Sequence, residues 1–100
     1  MTLGFMPDAE KEFVAAAEWY EAREKGLGKR FRDDVAHVLT RITEDPFLWR
    51  ERPDGYHRVN CPVFPYYVAY IIRESSIIVT AVAHGRRYPG YWKHRLKAQE

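Results

Sequence analysis

Ile77-Ile78-Val79-Thr80-Ala81-Val82-Ala83 decides the fold. The run is uncharged, mostly β-branched and too short for a buried helix, so it reads as a buried strand. It breaks at once into His84-Gly85-Arg86-Arg87-Tyr88-Pro89-Gly90-Tyr91-Trp92-Lys93-His94-Arg95, a basic and aromatic tail with no acid before Glu100. A strand that ends in cationic and stacking groups suits a reader of phosphates, bases or acidic protein surface. The same residues suit a solvated basic terminus whose aromatics cover the last edge of the core. Both readings stand at this point.

Working back from that strand, residues 66–73 have the same β composition and are separated from it only by Glu74-Ser75-Ser76, a hairpin connection. Residues 56–60 supply a further short strand. Cys61-Pro62-Val63-Phe64-Pro65 links it to the next, since two prolines exclude a central strand. Before these lies a loop, 47–55, that holds Trp49 and Pro53.

The first half is helical. Ala9, Phe13, Ala16, Ala17 and Tyr20 recur at helical spacing behind Pro7, which suits a first helical turn because its missing N–H has no partner there. Phe31, Val35, Val38, Leu39 and Ile42 form a second stripe, closed by Asp45-Pro46. Gly26-Leu27-Gly28 separates the two, a link so short that the helices must be antiparallel. Residues 2–6 make a short opening strand. The expected class is α+β, in the order β-α-α-β-β-β, with an antiparallel sheet packed on an αα-hairpin. One domain, 1–100, accounts for the chain.

Composition narrows the function classes. At 46% hydrophobic and 30% charged, the chain is an ordinary globular protein. Its net charge of +2 is too small for a polyelectrolyte glove around nucleic acid, but the charge is unevenly spread. Acids gather on the first helix and cations between Arg86 and Lys97, so a positive face can meet a polyanion or acidic partner. Cys61 is alone, which excludes an intrachain disulfide, fits a reducing compartment and reads as a small apolar residue. His57, His84 and His94 lack metal-ligand spacing, so no metal is expected. There is no phosphate-binding glycine loop and no nucleophile elbow, so no cofactor is expected. The helix-1 acids read as a solvated face. No signal peptide or membrane span is visible, and a cytoplasmic location is expected.

What remains is a cluster of Arg58, Tyr66, Tyr70, His84, Arg86, Arg87, Tyr91 and Trp92. If the last three strands are neighbours, these can gather on an open sheet face and its C-terminal edge. Metal-free RNA cleavage needs a base for the 2′-OH, an acid for the leaving oxygen and cations for the phosphorane, and His, Tyr and Arg can supply them. The strand tyrosines and Trp92 equally suit a core with polar tips reaching water. Trp19 falls off the helix-1 stripe, as a partner contact or as packing on the 47–53 loop.

The order of short motifs resembles the RelE/ParE superfamily of type II toxins. The resemblance is carried by Pro7-x-Ala9-x-x-Glu12, Ala16-Ala17-Glu18-Trp19-Tyr20-Glu21, Gly26-Leu27-Gly28-x-x-Phe31, Phe64-Pro65-Tyr66-x-Val68-x-Tyr70 and Val82-Ala83-His84-Gly85-Arg86-Arg87-x-Pro89-x-x-Trp92. It implies the same β-α-α-β-β-β domain, and a growth-inhibiting toxin neutralised by a cognate antitoxin, with operator DNA bound only through that antitoxin. RelE-like members cut mRNA on the ribosome. In that reading Arg58, His84, Arg86 and Tyr91 are the catalytic candidates, although Tyr67 stands where a third-strand arginine is usual and His57 and Arg58 stand where lysines are usual. ParE-like members inhibit DNA gyrase without a nuclease site, and the helix-1, Gly-Leu-Gly and His-Gly-Arg-Arg segments resemble that branch more closely. For it, Arg86, Arg87, Trp92 and Trp19 are the candidate target- or partner-binding residues. A non-toxic relative that only binds a partner is a third reading.

Overall fold

The apolar run forms β4 (Ser76–His84), the second strand from one edge of a four-stranded sheet ordered β1-β4-β3-β2 in a computed structural model that describes residues 1–97. The end of the expected 1–100 domain, Glu100 included, lies outside the described residues. β3 (Tyr66–Arg73) pairs antiparallel with β4, and β2 (His57–Asn60) antiparallel with β3, as the hairpin connections require. β1 (Thr2–Phe5) differs in direction: it runs parallel to β4, so the sheet is mixed. The helical hairpin and the other strands lie between β1 and β4 in sequence, which leaves room for the crossover a parallel pair needs.

The register slips once, between Ala69 opposite Ala81 and Tyr70 opposite Val79, leaving Thr80 as the extra residue of a bulge. The Thr80 hydroxyl donates to the Ala69 carbonyl at 3.1 Å, so the buried carbonyl keeps a partner.

α1 (Pro7–Arg23) and α2 (Leu27–Glu44) form the expected hairpin. α1 buries Ala9, Ala16 and Ala17, and α2 buries Phe31, Val35, Val38 and Ile42, the positions their periodicity picks out. The link is held by Glu21, whose carboxylate accepts from the Gly26 and Gly28 N–H groups at 2.9 and 3.0 Å. Those two bonds hold its carboxyl below the usual carboxylate range. Gly26 sits at φ 88°, a left-handed conformation suited to glycine, and a Cβ on Gly28 would lie 2.6 Å from the Ala17 carbonyl oxygen. The Gly-Leu-Gly turn therefore supplies both the reversal and the close approach of the helices.

Alternate strand residues divide the sheet's side chains between two faces. Tyr66, Val68, Tyr70, Val82 and His84 share the hairpin side, where Phe31 lies 5.0 Å from Tyr66 and 5.4 Å from Phe64, centroid to centroid. Buried Asp34 fastens α2 to the proline-rich link by accepting from the Val63 and Phe64 N–H groups at 3.1 and 2.8 Å. The other face carries Arg58, Tyr67, Ala69 and Ala83. It is covered by a helix absent from the expected order: α3 (Gly90–Lys97), folded back so that Trp92 and Leu96 are buried. No helix among the described residues is long and apolar enough to cross a membrane.

Candidate functional site

The sheet arrangement separates the candidate nuclease residues. Arg58, opposite Ala69, lies on the α3 face with its guanidinium 3.7 Å from the Tyr67 ring centroid. His84, opposite Tyr66, lies on the hairpin face, its ring 5.2 Å from Tyr66. Its Nδ1 accepts the Arg86 N–H at 3.0 Å. Tyr70 is fully buried, stacked on His57 at 4.9 Å, and donates its hydroxyl to the Pro46 carbonyl at 2.7 Å. Among the described residues the hairpin lies on one side of the sheet and α3 on the other, so these groups do not gather on one open face.

Trp92 is likewise a correction. It is 0% exposed, with its indole N–H donated to the Tyr67 hydroxyl at 2.8 Å and its ring edge-on to Tyr56 at 4.8 Å. It is a packing residue under α3, and presents no face to a target. Trp19 is 53% exposed; it meets Tyr20 edge-on at 5.2 Å, and Arg23 sits 4.1 Å from its ring. Arg86 and Arg87 are exposed in the turn between β4 and α3. Cys61 is buried with its thiol pushed up to about 12 by burial and then by Asp34, the opposite of what an activated thiolate needs.

What the structure does bring together is a cleft of about 480 Å3 between α1, the end of β4 and the start of α3. Ala15, Ala16, Trp19 and Tyr20 line it from α1, Tyr66 and Val82 from the sheet, and His84, Arg87 and Tyr91 from the chain's C-terminal side. Arg87 lies over the Tyr91 ring at 3.6 Å.

At its base is Glu12, a residue the acid-rich pattern of α1 assigned to solvent. Its carboxylate accepts from the Val82 N–H at 3.1 Å, the Tyr91 hydroxyl at 2.6 Å and Arg95 at 3.0 and 3.1 Å. Glu12 thereby joins α1, β4 and α3. A signal was available: position 12 follows Ala9 by three and precedes Ala16 by four, so it lies on the buried stripe. Burial, followed by donation to Glu12, pushes the Tyr91 hydroxyl well above the usual tyrosine range. Tyr91 is therefore held neutral as a donor to a carboxylate, a poor position for a general acid or base near neutrality.

Tyr70 is also raised, to about 12, by burial and then Asp45. A tyrosine that ionises later in the folded chain adds stability that is complete below its unfolded value near about pH 10 and is lost as pH rises through the folded value. The urea midpoint is expected to stay flat up to roughly pH 9 and to fall above about pH 10, and Tyr70→Phe is expected to lessen that fall. An alkaline fall of the same size in the variant would contradict this burial-based account.

Comparison with known proteins agrees with this architecture. Residues 3–89 match the family described as ParE toxin of type II toxin–antitoxin system, parDE. Among solved structures, one described as the chromosomal ParDE TA system from P. aeruginosa superposes with a TM-score of 0.69 at 12% identity, covering 84% of this chain and 95% of that one. The isolated E. coli RelE toxin superposes with a TM-score of 0.61 at 20% identity, covering 99% of this chain and 98% of that one. No curated protein matches the sequence.

Proposed function

The chain belongs to the ParE toxin family of type II toxin–antitoxin systems, and from that premise we propose that it arrests growth by binding DNA gyrase as a protein inhibitor, in the cytoplasm, until a cognate antitoxin covers it. The observation that favours this over RNA cleavage is that the four nuclease candidates do not form one acid–base set: Arg58 lies across the sheet from His84, and the Tyr91 hydroxyl is committed to Glu12. Arg86 and Arg87 leave cations beside His84, but Tyr91 so held is not free to protonate a leaving oxygen.

Inducing the chain alone in a bacterial host is expected to arrest growth with transcripts intact, and the purified chain is expected to inhibit gyrase supercoiling. Arg58→Ala with His84→Ala is expected to leave both within about two-fold, whereas loss of a general base and a phosphate-binding cation costs a nuclease roughly 100-fold or more. Translation-dependent mRNA cleavage that disappears in the double variant would overturn the proposal in favour of the ribosome-dependent nuclease. Absence of arrest with a folded wild-type chain would leave only the non-toxic partner-binding reading.

A further inference from the structure

The sheet has an open edge on the side away from the cleft. β2 is the last strand in the order and bonds only to β3, so among the described residues its outer side carries no strand. The Cys61 N–H, bonded to the Tyr66 carbonyl at 2.8 Å, points towards β3. By strand alternation His57 and Val59 point the same way, and Arg58 and Asn60 turn both their N–H and C=O groups outward. The Tyr56 carbonyl also points outward, and the Arg52 N–H donates to it at 2.8 Å. That bond agrees with the alternation and closes the edge at this end. Arg58 and Asn60 are left as the open stretch.

Each end of this stretch carries an apolar feature, and the two are opposite in shape. At the His57 end is the loop after α2, where Phe47 and Leu48 are 67% and 59% exposed. The loop is held at several points. The Phe47 and Leu48 N–H groups donate to the Asp45 carboxylate and carbonyl at 3.3 and 3.2 Å, the Tyr70 hydroxyl donates to the Pro46 carbonyl, and His57 Nδ1–H donates to the Trp49 carbonyl at 2.8 Å. The Phe47–Leu48 tip is therefore preorganised. At the Cys61 end is a depression of about 340 Å3 between the Val63–Phe64 link and Arg30, Asp33 and His37 of α2. Val63 on its rim is 71% exposed. Both features lie on the hairpin side of the sheet, because Asp34 of α2 holds Val63 and Phe64, and Tyr70 holds Pro46.

We propose that the β2 edge is a self-pairing surface, where two copies of this chain join about a two-fold axis through Val59. Such an axis sets Arg58 of each copy opposite Asn60 of the other, so the outward N–H and C=O groups of both residues find partners in one antiparallel ladder. The axis stands perpendicular to the sheet, which keeps both helical hairpins on the same side. It also sets His57 of one copy opposite Cys61 of the other. The Phe47–Leu48 tip of each copy is thereby carried towards the Val63–Phe64 depression of its partner. One operation fills both depressions, the self-complementarity that a closed dimer requires. A foreign strand would meet the Arg58 and Asn60 groups but would leave the tip and the depression unmatched, so a second copy is the occupant that the surface fits. The clefts face away from this edge and stay open in the dimer. The proposal does not depend on what the toxin targets.

Sedimentation equilibrium of the full chain over roughly 1–500 µM is expected to show a reversible monomer–dimer equilibrium, since so short a ladder belongs with weak, transient interfaces. Asn60→Pro removes an outward N–H without touching a bond to β3, and edge strands tolerate proline. Phe47→Glu places a charge on the exposed tip. Each is expected to raise the dimer dissociation constant about 10-fold or more, with an unchanged circular dichroism spectrum. Val14→Glu, exposed on α1, is expected to leave the constant unchanged. A second readout needs only the wild-type chain. Hydrogen exchange at the Arg58 and Asn60 amides is expected to slow as concentration rises through the transition, while the Val59 amide, already bonded to β3, changes little. A chain that stays monomeric throughout, a dimer that withstands either folded variant, or Arg58 and Asn60 amides whose exchange ignores concentration would each overturn the proposal.

Discussion

Glu12→Ala is expected to destabilise the chain by about 3–5 kcal/mol, the usual result of removing one partner of a largely buried ion pair. The pair is well shielded, with Arg95 11% and Glu12 17% exposed at the side chain. The carboxylate serves a main-chain N–H on β4, a hydroxyl and a guanidinium together. Its removal strands all three. Among the described residues Arg95 would keep the Thr80 carbonyl, a 3.9 Å approach to Asp8 and the Tyr91 ring at 5.6 Å, and its Nε already lacks a hydrogen-bond partner. Small domains have about 5–15 kcal/mol of stability in total, so this loss is a large share. Glu12→Gln separates charge from shape. Its amide oxygen can keep the Val82 N–H, while its NH2 stands where the other oxygen accepted from Tyr91, whose hydroxyl can turn to accept instead, and Arg95 is no longer balanced, so a smaller loss, about 1.5–3 kcal/mol, is expected. Urea denaturation of the wild type and both variants decides it. Equal midpoints would mean that Glu12 sits on the solvated face its neighbours occupy.

That misplacement of Glu12 shows where the sequence was legible and where it was not. The helical hairpin was readable because glycine pairs and Asp-Pro are punctuation with a steric cause, and because Phe31, Val35, Val38 and Ile42 repeat at the helical period. β3 and β4 were readable from composition. The direction of β1 was not, since a four-residue edge strand carries no mark of parallel or antiparallel pairing. α3 was obscured by its charge: Lys93, His94, Arg95 and Lys97 invite a reading as solvated tail, although Tyr91, Trp92, Arg95 and Leu96 already have the i, i+1, i+4, i+5 spacing of one helix face.

The candidate site was half legible for a related reason. Residue type drew attention to His84, Arg87 and Tyr91 after the last strand, and the structure places them along one cleft. It could not decide which strand residues share a face. That depends on the pairing of Arg58 with Ala69 and of Tyr66 with His84, a register that neither strand specifies alone. Grouping Arg58 and Trp92 with His84 followed from chemistry; separating them followed from parity and burial.

Trp92→Ala is expected to cost about 3–5 kcal/mol, the range for deleting a fully buried large aromatic. It empties the space against Tyr56 and takes the indole donor from the Tyr67 hydroxyl. Trp92→Phe, which keeps most of the apolar volume and loses the donor, should cost less than half as much. A target contact would behave oppositely, because surface substitutions usually shift stability by no more than about 0.5 kcal/mol. Loss of target binding with an unchanged unfolding midpoint would therefore refute the core assignment. The double variant with Glu12→Ala tests the architecture further. Trp92 and the Glu12–Arg95 pair both hold α3 against the rest of the fold, so either loss alone releases much of what the other secures. The two effects are expected to fall short of additivity by about 1–2 kcal/mol, within the coupling range of residues that share one element. Full additivity would mean that α3 stays docked when either anchor is removed.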